Sequence, residues 1–130
     1  MSDIVLYAID NDKDLLRAIK LFLCKRDFKV FTFSKWHTAF ERMKKHKPQI
    51  ILLDLFLGKN GIDGLDVCQK LKASPFTKDV PVILFSGFKK VSKSAVEDYG
   101  VYEFIEKPLE FNRLIKVIRK ALGSSSTNLE

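Results

Sequence analysis

A chain of 130 residues and 15.0 kDa has the size of one domain and is long enough to bury most of its unfolded surface. Hydrophobic residues at 46%, charged residues at 30% and eleven Phe give the composition of a globular protein and exclude intrinsic disorder. The net charge of +7 favours anionic partners, but the lysines are scattered along the chain without interleaved aromatics, so nucleic-acid binding by this domain alone is not expected.

Residues 4–9 are a continuous apolar run ended by Asp10-Asn11-Asp12, the pattern of a strand buried on both faces and closed by polar loop residues. From Asp14 onward Leu15, Ala18, Ile19, Phe22 and Leu23 recur at helical spacing, with Asp12 or Asp14 available to cap the first amides. Residues 29–33 are a short strand rich in β-branched and aromatic residues, and Ser34 is expected to cap a helix with inner face Trp36, Ala39, Phe40 and Met43. Pro48 precedes a second wholly apolar run, residues 50–53, which again stops at an aspartate, Asp54.

Gly58, Asn60, Gly61 and Gly64 mark a loop, and Leu65, Cys68 and Leu71 a short helix that stops before Pro75. Residues 80–85 form a fourth strand ending at Ser86-Gly87. Residues 89–99 carry a weak helical stripe broken by serines, and the least stable helix is expected there. Residues 102–105 make a short fifth strand, and Lys107-Pro108 leads into a strongly periodic helix through Leu109, Leu114, Ile118 and Leu122. Gly123 is expected to end it. Residues 1–123 then form one domain, and 124–130 a flexible tail, part of a linker or a cloning remnant.

Cys24 and Cys68 lack Cys-x-x-Cys spacing and lie in apolar helical patterns, so both are expected to be reduced and half-buried. His37 and His46 have no ligand spacing and are read as surface residues. No segment has the pattern of a signal peptide or the length of a membrane span, so a cytoplasmic protein without membrane contact is expected.

Strand–helix alternation predicts an α/β domain, a parallel sheet with helices on both faces. The natural topology is a flavodoxin-like (βα)5 three-layer sandwich with strand order 2-1-3-4-5. That order places Asp10, Asn11, Asp12, Asp54, Ser86 and Lys107 together at the carboxyl ends of the strands, where ligands of such sheets bind. Crowded carboxylates hold a proton or recruit a cation, and clustered oxygens favour Mg²⁺. A carboxylate beside Mg²⁺, a hydroxyl and a lysine suits attack on a phosphoryl group.

Ile4-Val5-Leu6-Tyr7-Ala8-Ile9-Asp10-Asn11-Asp12, Ile51-Leu52-Leu53-Asp54-Leu55, Asp63-Gly64-Leu65, Phe85-Ser86-Gly87 and Phe104-Ile105-Glu106-Lys107-Pro108 resemble, in order and spacing, the motifs of CheY-like response-regulator receiver domains of two-component signal transduction. The resemblance spans residues 4 to 122. It implies a phosphoacceptor signalling domain rather than an enzyme, although one that promotes its own phosphorylation and dephosphorylation. Asp54 would receive a phosphoryl group from a sensor histidine kinase or a histidine phosphotransfer protein. Mg²⁺ would be held by Asp10, Asn11, Asp54 and the backbone carbonyl of Phe56, with Asp12 as a further candidate.

On the same resemblance Ser86 and Phe104 are the switch hydroxyl and aromatic, Lys107 pairs with the phosphate, and the peptide before Pro108 is a candidate for cis. The output face would be the fourth helix, fifth strand and fifth helix, in a monomer or a phosphorylation-dependent dimer. Asn11 departs from the family's acidic pair and lowers the negative charge of the site. The 58–64 loop is longer than the family's usual proline-glycine turn. Phe56 and Phe88 stand where the family flanks the water path, and two bulky rings there would slow hydrolysis.

Two other functions fit parts of the pattern. Asn11 suits a pseudo-receiver, an interaction module that is not phosphorylated. Asp10-x-Asp12 resembles the nucleophile motif of haloacid-dehalogenase-like phosphatases, but Lys13-Asp14 follows where that motif wants Thr or Val.

Overall fold

The computed structural model describes residues 3–55, 64–87 and 97–125. Five strands, β1 (Ile4–Ile9), β2 (Phe28–Phe33), β3 (Ile50–Asp54), β4 (Val82–Ser86) and β5 (Glu103–Glu106), form one sheet in the order β2-β1-β3-β4-β5. Every pairing is parallel. Four helices belong to the described residues: α1 (Lys13–Cys24), α2 (Trp36–Met43), α3 (Gly64–Ala73) and α4 (Phe111–Ser125). This is the flavodoxin-like order expected from the alternating pattern. The helix expected at 89–99 lies outside the described residues except for its last three positions.

Successive strand residues point to opposite faces, and β1 shows what that requires. Leu6 and Ala8 pack with Leu16, Ile19, Leu23, Leu114 and Ile118, the inner faces of α1 and α4. Tyr7 and Ile9 pack with Ala39, Met43, Val67 and Leu71, the inner faces of α2 and α3. With helices on both sides every position from Leu6 to Ile9 and from Ile50 to Leu53 is fully buried. The unbroken apolar runs are thus the sequence signature of a two-faced core.

Local chemistry adjusts several boundaries. Asp12 caps α1, its Oδ1 accepting from the Leu15 amide at 3.1 Å. Ser34 does not cap α2. That helix starts at Trp36, so the cap position falls on Lys35, whose side chain has no acceptor and makes no capping bond. Strand β5 begins one residue later than expected, at Glu103. Gly123 does not terminate α4, which runs to Ser125. A single helical glycine costs about 1 kcal/mol relative to alanine, too little to stop a helix this strongly amphipathic. Cys24 is exposed rather than half-buried, because it falls on the outer face of α1, whereas Cys68 is buried. Among the described residues no helix is long and apolar enough to cross a membrane.

Candidate functional site

Parallel register brings the carboxyl ends of β1, β3, β4 and β5 level. Ile9 pairs with Leu53, Asp54 with Phe85 and Ser86 with Glu106. Asp10, one residue beyond β1, is fixed by its amide, which donates to the Phe33 carbonyl at 3.0 Å. Leu55 donates to the Phe85 carbonyl at 2.8 Å and Lys107 to the Ser86 carbonyl at 2.9 Å. These bonds extend the ladder past the strand ends and carry four polar residues into one place.

Three of those residues are buried polar groups in an apolar sheet: Asp10 is 0% exposed, Asp54 4% and Ser86 1%. Buried charge is tolerated only when paired and hydrogen-bonded. Lys107 supplies the pairing. Its Nζ lies 2.9 Å from Asp10 Oδ2 and 3.5 Å from Asp54 Oδ1, and it approaches the Phe85 ring to 5.3 Å from the centroid. The second oxygen of Asp10 accepts from the Asp12 amide at 2.8 Å. One ammonium thus bridges two carboxylates that would otherwise repel each other.

The expected site residues do not all join this cluster. Asp10, Asp54, Ser86 and Lys107 come together at the strand ends. Asn11 and Asp12 follow Asp10 on the exposed side, and Asp12 spends one carboxylate oxygen on capping α1. Phe104, in β5, is half-buried against the α2–α3 side of the core. The Lys107–Pro108 peptide is cis. Phe56, Phe88 and residues 58–63 lie outside the described residues.

The donor set fits Mg²⁺. That ion keeps several waters and takes one or two protein carboxylates, and Asp10 with Asp54 offers two, only partly offset by Lys107. Among the described residues no group of three acidic, His or Cys side chains converges as a complete cage.

Residue-by-residue reading underrated Gly64, the first residue of α3. Its amide donates to the Leu55 carbonyl at 2.6 Å. A Cβ there would stand 2.7 Å from the Asp54 carbonyl oxygen and 2.8 Å from Leu55 Cα. Glycine at this position lets α3 seat directly on the end of β3. The signal was a glycine opening a helix immediately after a loop, where close backbone approach is a common reason for glycine.

Comparison with known proteins agrees with this geometry. The sequence model of the response regulator receiver domain matches residues 6–119. The nitrogen assimilation regulatory protein NtrX of Azorhizobium caulinodans is 27% identical over 115 residues, which cover 88% of this chain and 25% of that protein. The C4-dicarboxylate transport transcriptional regulatory protein DctD of Rhizobium meliloti is 31% identical over 88% of this chain and 24% of its own. For the response regulator ArlR of Staphylococcus aureus the figures are 28%, 88% and 50%.

The chain therefore spans a quarter to a half of the length of these curated relatives. Among solved structures, the receiver domain of NtrX from Brucella abortus superposes with a TM-score of 0.82 at 26% identity, covering 92% of this chain and 98% of that one. A CheY-like receiver domain protein from Methanospirillum hungatei shares the fold with a TM-score of 0.85 at 18% identity, over 95% and 96% of the two chains. With the family match running through nearly the whole domain and the strand order and carboxyl-end cluster in place, the chain belongs to the response-regulator receiver domain family.

Proposed function

We infer that this receiver domain accepts a phosphoryl group on Asp54 from a sensor histidine kinase or a histidine phosphotransfer protein, with Mg²⁺ bound, and thereby switches a partner-binding surface. The observation that carries the reading is the bridge from Lys107 to both Asp10 and Asp54 in a buried site at the carboxyl edge of the sheet. A carboxylate held beside an ammonium and a second carboxylate has what phosphoryl transfer asks of a protein: positioning and charge stabilisation.

Asp54 supplies the attacking oxygen, and the bond from phosphorus to the donor imidazole nitrogen breaks. Lys107, already in contact with Asp54, pairs with an oxygen of the incoming group. Asp10 stays oriented by the Asp12 amide. Held by Asp10, Asp54, the Asn11 side chain and the Phe56 carbonyl, with Asp12 as a further candidate, Mg²⁺ would offset charge on the transferring oxygens. The Ser86 hydroxyl and the Phe104 ring then shift toward the modified site, moving a pre-existing equilibrium at the face that includes β5 and α4.

Intact mass after incubation with acetyl phosphate and Mg²⁺ tests this directly. Wild type gains one phosphoryl adduct, labile at alkaline pH, and Asp54→Ala does not. An unmodified wild type under conditions that modify another receiver domain would refute the acceptor role. That result would favour the alternative that Asn11 supports, an interaction module with the fold but without the chemistry. The phosphatase reading loses ground, because the receiver-domain match runs over residues 6–119.

A further inference from the structure

The cations that are dispersed in sequence are not dispersed in space. Helix α1 carries Lys13, Arg17 and Lys20 against one acid, Asp14. Helix α4 carries Arg113, Lys116, Arg119 and Lys120 and no acid. These helices cover the same face of the sheet and touch through Phe22 and Phe111, whose ring centroids are 4.9 Å apart. Together they hold +6 of the chain's +7. On the opposite layer α2 is neutral and α3 carries +1.

Every one of these seven cations is exposed, as is Lys25 just past α1. On α4 they recur at 113, 116 and 120, the spacing of a single helical stripe. Arg17 pairs with Asp14 at 3.0 Å and Arg113 with Glu103 at 3.6 Å. Another acid at this face, Glu110, is turned to the Arg113 amide. The layer therefore presents a broad surface of net positive charge.

We propose that the α1–α4 layer binds the phosphate backbone of duplex nucleic acid, without reading sequence and independently of the chemistry at Asp54. The composition of the face selects this polyanion over others. Leu21, at 59% exposure, is the one large exposed hydrophobic among the described residues. A membrane-surface helix needs an apolar face to insert, and a protein interface is built around a core depleted of charged residues. Backbone binding of nucleic acid needs neither, because counterion release supplies most of its free energy.

The test is fluorescence anisotropy of a labelled random-sequence duplex with the full 130-residue chain at several NaCl concentrations. About four to five phosphate contacts predict a slope near −4 of log affinity against log salt, or about a 250-fold loss from 50 to 200 mM. Lys116→Glu with Arg119→Glu should cut the slope by about two and weaken binding at least tenfold. Lys20→Glu with Lys25→Glu, on α1 and its C-terminal cap, should do the same. Lys70→Glu with Lys78→Glu changes net charge equally on the other layer and should stay within twofold of wild type. Far-ultraviolet circular dichroism melts verify that each variant folds.

Absence of binding at 50 mM salt overturns the proposal, and so does equal loss in all three variants, which would make the effect one of net charge alone. Tighter binding to phosphatidylserine vesicles or to polyglutamate than to the duplex overturns it in favour of a lipid or an acidic protein.

Discussion

Replacing Gly64 with alanine tests how the acceptor strand is held. The new Cβ would lie 2.7 Å from the Asp54 carbonyl oxygen, 2.8 Å from Leu55 Cα and 3.0 Å from Leu84 Cδ1. Two of these neighbours are backbone atoms of the strand end that carries the acceptor, so no side-chain rotation relieves the overlap. Inserting one methyl into such a site costs about 1–3 kcal/mol, and rigid backbone on two sides places Gly64→Ala near 2–3 kcal/mol. Unfolding entropy of about 2.1 cal/mol/K per residue converts this, for a domain of this length, into a fall in Tm of about 7–11 °C.

Gly123→Ala is the matched control. A Cβ at that position would have nothing within 4 Å, and the residue sits inside α4, so the same substitution should gain up to about 1 kcal/mol from helix propensity. Differential scanning calorimetry measures both. Since relief at Gly64 requires the start of α3 and the end of β3 to move apart, the rate of modification of Asp54 by acetyl phosphate should fall as well. A Gly64→Ala protein melting within about 2 °C of wild type would refute the claim that α3 seats directly on the acceptor strand.

Removing the bridging ammonium with Lys107→Ala should tighten Mg²⁺ binding by roughly tenfold, since one positive charge leaves the immediate neighbourhood of two carboxylates. Trp36 fluorescence or amide NMR titration reports it, and unchanged or weaker binding would contradict the bridge. Asn11→Asp should also raise Mg²⁺ affinity, because it adds a negative charge directly beside Asp10. The Tyr7 hydroxyl donates to the His46 carbonyl at 2.6 Å, so Tyr7→Phe should cost about 1 kcal/mol in urea denaturation.

Burial raises the Tyr7 pKa above 10.0, opposed in part by the neighbouring Arg42. The folded protein therefore keeps this proton where the unfolded chain has lost it. The stability so conferred is complete below pH 10 and is lost as pH rises through the higher folded value, a slope that Tyr7→Phe should flatten. Lys72 donates to the carbonyls of Lys78 and Val80 at 3.2 and 3.0 Å, so Lys72→Met should lower stability by about 1–2 kcal/mol in the same denaturation assay.

Much of the fold was legible because two central strands announce themselves. A run such as Ile50-Ile51-Leu52-Leu53 has no polar face to offer water, so helices must cover both sides, and the aspartate after it marks the ligand edge. Ser34 misled because capping is decided by where the first helical turn closes, and packing of Trp36 against Phe40, at 4.7 Å between ring centroids, favours a start one residue later. The bridge between Asp10 and Lys107 joins residues 97 positions apart, and spacing alone gives no measure of such a contact. The charge asymmetry of the helical layers was hidden for a similar reason. Lys20 and Lys116 are remote in sequence, and only the strand order places their helices side by side.

The bridging lysine also has a consequence for synthesis. Asp10 and Asp54 stand at the ends of strands made early, whereas their shared cation follows β5 directly. A partial chain that has passed Asp54 but has not reached Lys107 contains both carboxylates and lacks the cation that partly offsets their repulsion. Completion of the sheet awaits emergence of the segment that ends at Lys107. Uncompensated repulsion between the two carboxylates would therefore discourage a partial domain from becoming compact before the last strand and its lysine are available.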